Sequence, residues 1–421
     1  MTLLSFSRSI AVTLAVLLFS MRSSAATGVV IDEVTGRPIP QAIVTSSAGV
    51  QQTDANGRFE FEHPTGNHAQ IAARAPGYLR ARAGTSGDTP VTLKLTPFRP
   101  KAVYLSVYGV TSATLREEAL ALTRTTAINA LVIDVKGDRG FTPYASAARD
   151  AVGASAKLKT KGPIERDFPA LLANLHSRHL YLIARIVVFK DDPLADAHPD
   201  WIVRDGNGNP WRDREHLQWM DPFSHDVWQH NLDVAEEAAK VGFDEIQFDY
   251  VRFPDAGGLR FSQANTRANR TAAIVGFLQA ARTRLAPYNV FVSADIFGYV
   301  CWNLDDTAIG QQLELLGAPL DYISPMLYPS GFTWGLPGCT NPVSDPGQIV
   351  RRSLAEAVER TRLPSVRFRP WLQAFRDYAF DHREFDAAQI RAQTAAADAA
   401  GSDGWMLWNP RNRYDPADLP R

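Results

Sequence analysis

The sequence predicts an α/β protein: a (β/α)8 TIM-type barrel with a small N-terminal antiparallel β-sandwich. The barrel is indicated by eight apolar strand-like runs that alternate with helical patterns after Lys101. It is also indicated by long links from strand to helix and short links from helix to strand. Short runs of alternating polar and apolar residues, separated by turn pairs, predict the sandwich. We expect a leader at residues 1–26, the sandwich at 27–97 and the barrel at 101–421.

The first residues have the pattern of a cleavable secretion signal. Arg8 precedes the apolar run 10–19, and the small residues 24–26 form a cleavage zone. The run is shorter than the ~20 apolar residues of a membrane span, so an uncleaved anchor is the lesser alternative. We therefore expect a secreted or periplasmic protein that begins near Thr27 and has no stable membrane span after cleavage.

The composition is that of a folded globular protein. The chain has 421 residues, of which 45% are hydrophobic and 21% charged, which is enough apolar material for a large core and a small domain. A disordered or collagen-like chain is excluded. Without residues 1–26 the net charge is −3, and no run of Lys or Arg is present. We expect no nucleic-acid partner, because proteins that bind nucleic acids usually carry a basic patch.

The predicted sandwich contains two turn signals, Asn56-Gly57 for a tight hairpin and Pro76-Gly77 for a second turn. Its segments GVVIDEVTGRPIPQAIV, TDANGRFEF and APGYLRA resemble the carboxypeptidase regulatory-like, transthyretin-like module over essentially the whole region. This resemblance implies a spacer or a binding appendage. The region contains no cluster of titratable side chains, so we expect no catalysis there.

Hydrophobic periodicity predicts the strands and helices of the barrel. The predicted strands are 103–107, 130–134, 181–188, 245–249, 290–295, 322–326, 367–373 and 405–408. Thr114 and Glu117 form a capping box at one helix start, and a helix around Trp228 is expected to stop at Gly242. Another helix is predicted around Ile274. The chain stops so soon after the eighth strand that the last helix must be short or missing.

The long links 135–163, 189–224 and 327–345 each follow a predicted strand. In a barrel such links lie on the C-terminal face, where barrel enzymes place their active sites. The sequence therefore predicts a functional site on that face.

Acidic residues end several strands on the same face. Asp249 and Asp295 end consecutive strands, and Asp134 ends an earlier one. Glycoside hydrolysis needs one protonated and one ionised carboxyl group. We therefore predict Asp249 as nucleophile or base and Asp295 as acid, with the two roles interchangeable. The alternative is that either acid only holds Arg252 or Lys136 in place.

Other residues near the strand ends are predicted to bind substrate. Asp134 and Lys136 lie two apart on one strand and are expected to face the same side, where they bind hydroxyls, tune the acid pair or form a plain salt bridge. Arg252 is expected to neutralise one carboxylate. Structural polar groups and loop packing are the alternatives for the remaining predicted contacts. These contacts are Arg185, Tyr250, Tyr328, Gln373, Trp408 and Asn409.

Aromatic residues are frequent in the long loops and at the strand ends. They are Trp201, Trp211, Trp219, Phe223, Tyr299, Trp302, Tyr328, Phe332, Trp334, Tyr378 and Trp408. Sugars stack their apolar faces on rings while their hydroxyls bind polar groups. This set of rings, which we call the aromatic mouth, therefore favours a carbohydrate partner. About half of these rings are expected to pack the loops instead.

Motifs for other chemistries are missing from the sequence. The nine histidines form neither His-x-His nor His-Glu-x-x-His, and no Gly-rich phosphate loop or Gly-x-Ser-x-Gly elbow follows a strand. We expect no metal and no cofactor. Cys301 and Cys339 are expected to form a disulfide, with two free thiols as the alternative.

The segments YLSVYGVTS, INALVIDVKGDRGFTPY, GFDEIQFDYVRFP, SADIFGY, DYISPMLYPS, RPWLQAF and GWMLWN resemble a glycosyl hydrolase barrel family. The resemblance spans about Lys101 to Asn412, and FDYVRFP is its most specific part. It implies a barrel related to the amylase-type and galactosidase-type glycosidases. We expect a secreted glycoside hydrolase that acts on a polysaccharide or oligosaccharide. A non-catalytic glycan-binding or cell-envelope protein is the main alternative, and a metal-dependent deacetylase or amidase is a third.

Overall fold

The computed structural model of the protein describes residues 26–62, 70–84, 89–155 and 164–421. The predicted leader lies outside the described residues except for Ala26, which begins the first strand.

Two small sheets precede the barrel. Their strands are β1 (Ala26–Asp32), β2 (Ile43–Ser46), β3 (Gly49–Gln52), β4 (Arg58–Phe61), β5 (Gln70–Arg74), β6 (Ala81–Gly84) and β7 (Val91–Leu95). The sheets have the orders β4-β1-β7 and β3-β2-β5-β6 and enclose a core that includes Val30, Val44 and Ile71. The named strands pair antiparallel except β1 with β7, which run parallel. Gly57 adopts a φ of +70° in the turn before β4, as the Asn-Gly pair predicts.

Eight parallel strands then close into a barrel, which confirms the predicted fold class. They are β8 (Lys101–Leu105), β9 (Ala130–Lys136), β10 (Tyr181–Val187), β11 (Glu245–Asp249), β12 (Phe291–Phe297), β13 (Tyr322–Met326), β14 (Trp371–Gln373) and β15 (Trp405–Trp408). Each strand pairs with the next in sequence, and β15 pairs with β8. The strand β14 is shorter than predicted, because Ser365–Arg367 forms a 3-10 turn and Pro370 has no N–H to donate.

Helices surround the barrel. They are α1 (Val107–Thr111), α2 (Ala113–Thr125), α3 (Ala147–Ala151), α4 (Phe168–Ser177), α5 (Asp192–Ala197), α6 (His225–Val241), α7 (Arg267–Leu285), α8 (Leu313–Leu316), α9 (Pro346–Thr361) and α10 (Ala387–Ala399). Further 3-10 helices are Ala286–Tyr288, Gly298–Cys301, Pro329–Gly331 and Pro342–Ser344.

Helix α6 shows how local sequence sets an element. The Ser224 hydroxyl accepts a hydrogen bond from the Val227 N–H at the start, and Gly242 ends the helix with a φ of +117°. Its buried face includes Val234 and Ala238, and burying a Val side chain contributes about 1.5–3 kcal/mol. The predicted end at Gly242 is confirmed.

The start of α2 differs from the prediction. The Ser112 side chain, not Thr114, caps this helix by accepting from the Leu115 N–H. Ser112 directly follows α1 and precedes α2. The hydrophobic periodicity did not predict the short helix α1, so it did not identify the residue between the two helices as the cap.

No helix follows β15 in residues 409–421, all of which are described. The chain instead returns to the first barrel strand. The Ser106 hydroxyl donates to Oδ1 of Asn412 at 2.6 Å, and the Tyr104 N–H donates to the Tyr414 hydroxyl at 3.0 Å. The tail thus takes the place of the eighth helix beside β8.

The sandwich contacts the N-terminal end of the barrel. Arg74 pairs with Asp321 at 3.2 Å, and Arg80 pairs with Asp244 at 2.6 Å. Both acids lie just before barrel strands, at β13 and β11 respectively. The C-terminal face, with its long loops, is therefore left open on the opposite side.

Candidate active site

Arg185 is a buried cation at the centre of the site. From β10, its Nε and Nη2 donate to Oδ2 of Asp249 at 2.9 and 2.6 Å. Its Nη1 donates to Oδ1 of Asp134 at 2.7 Å, and Nη2 also donates to Oδ1 of Asp138 at 3.0 Å. One guanidinium therefore holds three carboxylates together, two of which the sequence analysis placed at strand ends.

Sequence reasoning missed Asp138. This residue lies in the loop after β9, four positions beyond Asp134, and its side chain is 35% exposed. Its position could have indicated this role, because Asp138 is an acid that follows Asp134 in a long loop on the C-terminal face.

Asp249 ends β11 and lines a cavity at the mouth of the barrel. Its Oδ1 accepts from the Tyr250 N–H at 2.6 Å, while Oδ2 accepts from Arg185. Tyr250 has a φ of +49°, a conformation that a bulky residue rarely adopts. Arg185 and the Tyr250 N–H therefore fix the orientation of the Asp249 carboxylate from two sides.

Asp295, on β12, has a different environment. Its Oδ1 accepts from Trp371 Nε1 at 2.7 Å, whereas its Oδ2 is buried and has no hydrogen-bond partner among the described residues. Burial, together with the charge of Asp249, raises the pKa of Asp295 well above its usual value. A neutral carboxyl group with a proton to donate is the form that this environment favours.

The two predicted catalytic acids meet at Arg185. Its Nε lies 2.9 Å from Oδ2 of Asp249 and 4.0 Å from Oδ2 of Asp295. These two carboxylate oxygens are therefore no farther apart than the sum of those distances. The two acids thus lie side by side at one guanidinium, on neighbouring strands.

Asp134 lies deeper than Asp249. Tyr104 donates its hydroxyl to Oδ2 of Asp134 at 2.6 Å. Burial, opposed by Arg185 and reinforced by Asp138, raises the pKa of Asp134 to about 6. Asp134 is 2% exposed, so its role in this structure is to hold the Arg185 guanidinium in place inside the barrel.

The cavity above these groups has a volume of about 190 Å³. Its lining residues are Asp138, Arg185, Asp249, Tyr250, Arg252, Phe297, Met326, Tyr328, Trp371 and Trp408. A second cavity of about 160 Å³ shares Phe297, Met326 and Tyr328 with it and adds the rings of Tyr299, Phe332 and Tyr378. The two form one aromatic-lined hollow on the C-terminal face.

About half of the predicted aromatic mouth lines this hollow. Trp408 lies at its floor, stacked on Tyr104 at a centroid distance of 4.0 Å, with the Arg185 guanidinium 4.9 Å from the Trp408 ring. Trp219 and Phe223 are buried in the loop core instead. Trp334 is 90% exposed, outside the lining of both cavities.

Lys136 does not share a side with Asp134, so that prediction is wrong. The pairing of β9 with β10 shifts by one residue after Asp134, which turns Lys136 outward between the barrel and the helices. There its Nζ donates to Asp191 at 2.8 Å, and Arg149 binds the same carboxylate. Burial, opposed by Asp191, lowers the pKa of Lys136 to about 8. Lys136 thus anchors the loops behind the barrel wall.

Gln373 and Asn409 lie at strand ends, but neither lines the two cavities. Gln373 Nε2 donates to the Ser330 hydroxyl at 2.7 Å, and Gln373 is fully buried. Asn409 Nδ2 donates to the Ala374 carbonyl at 2.6 Å. Both therefore brace the loops that follow β13, β14 and β15.

The prediction that Arg252 neutralises a carboxylate is wrong. Arg185 forms the ion pair with Asp249 instead. Arg252 makes no ion pair within the described residues. Its Nη1 donates to the Phe253 carbonyl at 3.1 Å, and its guanidinium lies 5.0 Å from the Trp219 ring and 5.1 Å from the Tyr250 ring.

The predicted disulfide is not formed, since Cys301 and Cys339 are both free. Cys301 is buried in the hydrophobic core, and burial raises the pKa of its thiol to about 12. Cys339 packs against the same core from the tight turn that it forms with Leu336. The two residues share an apolar environment without a bond between them.

Among the described residues, no group of three or more His, Cys, Asp or Glu side chains is arranged to hold a metal ion. Within the same part of the chain, no helix has the length and apolar character needed to cross a membrane.

A family model described as "Putative glycosyl hydrolase domain" matches residues 102–414, which cover the eight barrel strands except for Lys101, the first residue of β8. The chain belongs to this family. The match supports the resemblance read from the sequence of the barrel and leaves the sandwich outside. No curated protein matches the chain.

Solved structures similar to this chain include the following three. A hypothetical protein from Ruminiclostridium thermocellum ATCC 27405 is 35% identical, with 46% of this chain and 96% of that one covered and a TM-score of 0.40. The PgaB (BpsB) glycoside hydrolase domain from Bordetella bronchiseptica is 16% identical, with 75% and 95% covered and a TM-score of 0.55. Alpha-L-fucosidase isoenzyme 2 from Paenibacillus thiaminolyticus is 14% identical, with 76% and 48% covered and a TM-score of 0.50. The last two likenesses show a shared fold.

Proposed function

We propose that this protein is a secreted glycoside hydrolase that cleaves a polysaccharide or oligosaccharide with Asp249 and Asp295. The observation that carries the proposal is the contrast between these two carboxyl groups around Arg185. Asp249 is held by charge-assisted hydrogen bonds, whereas Asp295 has a raised pKa and a free oxygen. Pairs of carboxyl groups whose environments differ in this way divide the acid and base roles in glycosidases.

In the proposed reaction Asp249 acts as the ionised partner. It attacks the anomeric carbon or removes a proton from the attacking water, and Arg185 keeps its carboxylate in position. Asp295 donates its proton to the glycosidic oxygen, so that the leaving sugar departs as a neutral alcohol. The free Oδ2 of Asp295 lies 4.0 Å from Nε of Arg185, below the residues that line the cavity, so the proton must pass upward from this buried position to reach the sugar.

The surrounding hollow suits a sugar. Rings of Tyr328 and Trp408 offer flat apolar surfaces, while Asp138 and Arg252 offer hydrogen bonds to hydroxyls. The second cavity extends the ring-lined surface and leaves room for a further sugar unit. Secretion is supported by the leader pattern of the sequence, most of which lies outside the described residues.

A glycan-binding protein without turnover is the second candidate. The observation that favours it is the burial of Asp295, which is 1% exposed, because a catalytic acid must reach the glycosidic oxygen. An activity screen separates the two candidates. The purified protein is incubated with a panel of neutral, acidic and amino-sugar polysaccharides, with and without a chelator, and new reducing ends are counted. We expect release of reducing ends that the chelator does not affect. No release from any member of the panel would favour the glycan-binding protein, and release that the chelator abolishes would point to a metal-dependent reaction.

A further inference from the structure

Arg252 is a cation at the substrate cavity without an acidic partner. It lines the cavity of about 190 Å³ and makes no ion pair within the part of the chain that the structure describes. Other buried cations of this face are paired: Arg185 holds three carboxylates, and Lys190 binds Asp213 at 2.9 Å.

Three carboxylates act on Arg252 through their charge: Asp255 is exposed and makes no ion pair with it, and the other two are engaged by other groups. Asp249 is held by Arg185, and Asp213 accepts from Lys190 and from Trp219 Nε1. Their charges act on Arg252 through space, without a direct hydrogen bond. The guanidinium therefore keeps N–H donors for a group that enters the cavity.

Aromatic rings fix the position of this guanidinium. Trp219, Tyr250 and Phe297 lie 5.0, 5.1 and 5.7 Å from it, within the range of cation–π contacts. Such contacts orient the planar group without neutralising its charge. Arg stays protonated at any physiological pH, so the cavity presents a fixed positive charge.

A partly desolvated charge is stabilised most by an anion that pairs with it through two parallel hydrogen bonds. A sugar hydroxyl binds the same donors without the gain from opposite charge. The geometry thus discriminates between an acidic and a neutral sugar next to the bond that Asp249 and Asp295 would cleave.

We infer that Arg252 binds an anionic substituent of the glycan, either the carboxylate of a uronic acid or a sulfate ester. This inference rests on the proposed function for the place of cleavage, and the binding itself does not require turnover. The substrate class that follows from this inference is acidic polysaccharides.

Binding measurements test the inference. Titration calorimetry on the full protein compares uronic-acid oligosaccharides with their methyl esters, and sulfated oligosaccharides with their unsulfated forms. A neutral and an amino-sugar oligosaccharide complete the panel. We expect one acidic member to bind at least about tenfold more tightly than its uncharged counterpart, and the preferred pair distinguishes carboxylate from sulfate.

Variants then assign the preference to one residue. Arg252→Gln should remove the tenfold difference between the acidic and the uncharged form, and Arg252→Lys should keep part of that difference. Arg411→Gln is the matched control, because Arg411 is exposed on the same face and lies outside both cavities. Circular dichroism confirms that each variant is folded, and if Arg252→Gln is not, Arg252→Lys and the salt dependence of wild-type binding carry the test.

Equal affinity for acidic and uncharged forms, tighter binding of the amino-sugar form, or no binding of any acidic member would overturn the inference. Tight binding of an acidic oligosaccharide that is never cleaved would refute the hydrolase proposal and leave this inference standing.

Discussion

Arg185 donates two hydrogen bonds to a single oxygen of Asp249, at 2.9 and 2.6 Å. The same guanidinium also binds Asp134 and Asp138, so it neutralises charge that would otherwise be buried at the barrel mouth. The position of the Asp249 carboxylate and the stability of the barrel therefore depend on one side chain.

Loss of this cation should destabilise the protein strongly. Arg185→Met leaves Asp134 and Asp249 buried without a partner cation, and we expect the free energy of unfolding to fall by about 3–5 kcal/mol. Urea unfolding followed by fluorescence measures the change. Arg383→Met is the control, because Arg383 pairs with Asp381 at the exposed surface, where a pair contributes about 0–1 kcal/mol. Equal loss in the two variants would show that the Arg185 cluster is not a special source of stability.

The raised pKa of Asp295 predicts how activity depends on pH. A catalytic acid is active while protonated, so activity is present below the folded-state pKa of Asp295 and is lost as the pH rises through it. Asp295→Asn should lower kcat by about 10²–10⁴-fold on natural glycans and remove this alkaline limb. Substrates with a good leaving group should be affected much less. An alkaline limb that survives in Asp295→Asn belongs to another group and would refute this role.

The buried pair between sandwich and barrel should hold the two parts together. Arg74→Met leaves Asp321 with the Val292 N–H and the more distant cation Arg282, at 3.7 Å, and we expect a loss of about 3 kcal/mol in the unfolding of the sandwich. Calorimetry should show an earlier, separate transition for the sandwich. Arg80→Met, which breaks the more exposed pair with Asp244, should have a smaller effect. A single unshifted transition in Arg74→Met would contradict the account of this contact.

The free cysteines predict that stability does not depend on reducing conditions. Thiol titration of the protein unfolded without reductant should count two thiols, and Cys339→Ala should leave one. A reductant should leave Tm unchanged. A count of zero in the unfolded wild type would restore the disulfide that the sequence suggested.

Much of the architecture could be predicted from the sequence, because a barrel strand is an apolar run and the long loops that follow the strands mark the C-terminal face. Asp249, Asp295 and Arg185 were predicted in this way, and the structure brings them together: Asp249 is the last residue of β11, whereas Asp295 and Arg185 precede the last residues of β12 and β10. Lys136 was misplaced, since a one-residue shift in pairing between β9 and β10 leaves no mark in the local pattern. Arg252 was predicted to pair with a carboxylate because it lies near Asp249 in the sequence, but Arg185 is the residue that does so. Nearness along the chain does not decide which cation reaches an acid in space.

The most direct test compares binding and turnover in Asp249→Asn, using a glycan that wild type cleaves. Arg185 keeps Asp134 and Asp138 as partners in this variant, so the site should stay folded. We predict that kcat falls at least about 100-fold while the Kd for the glycan, measured by calorimetry, changes by less than about tenfold. Turnover close to that of wild type in a folded Asp249→Asn protein would contradict the central role of this carboxylate.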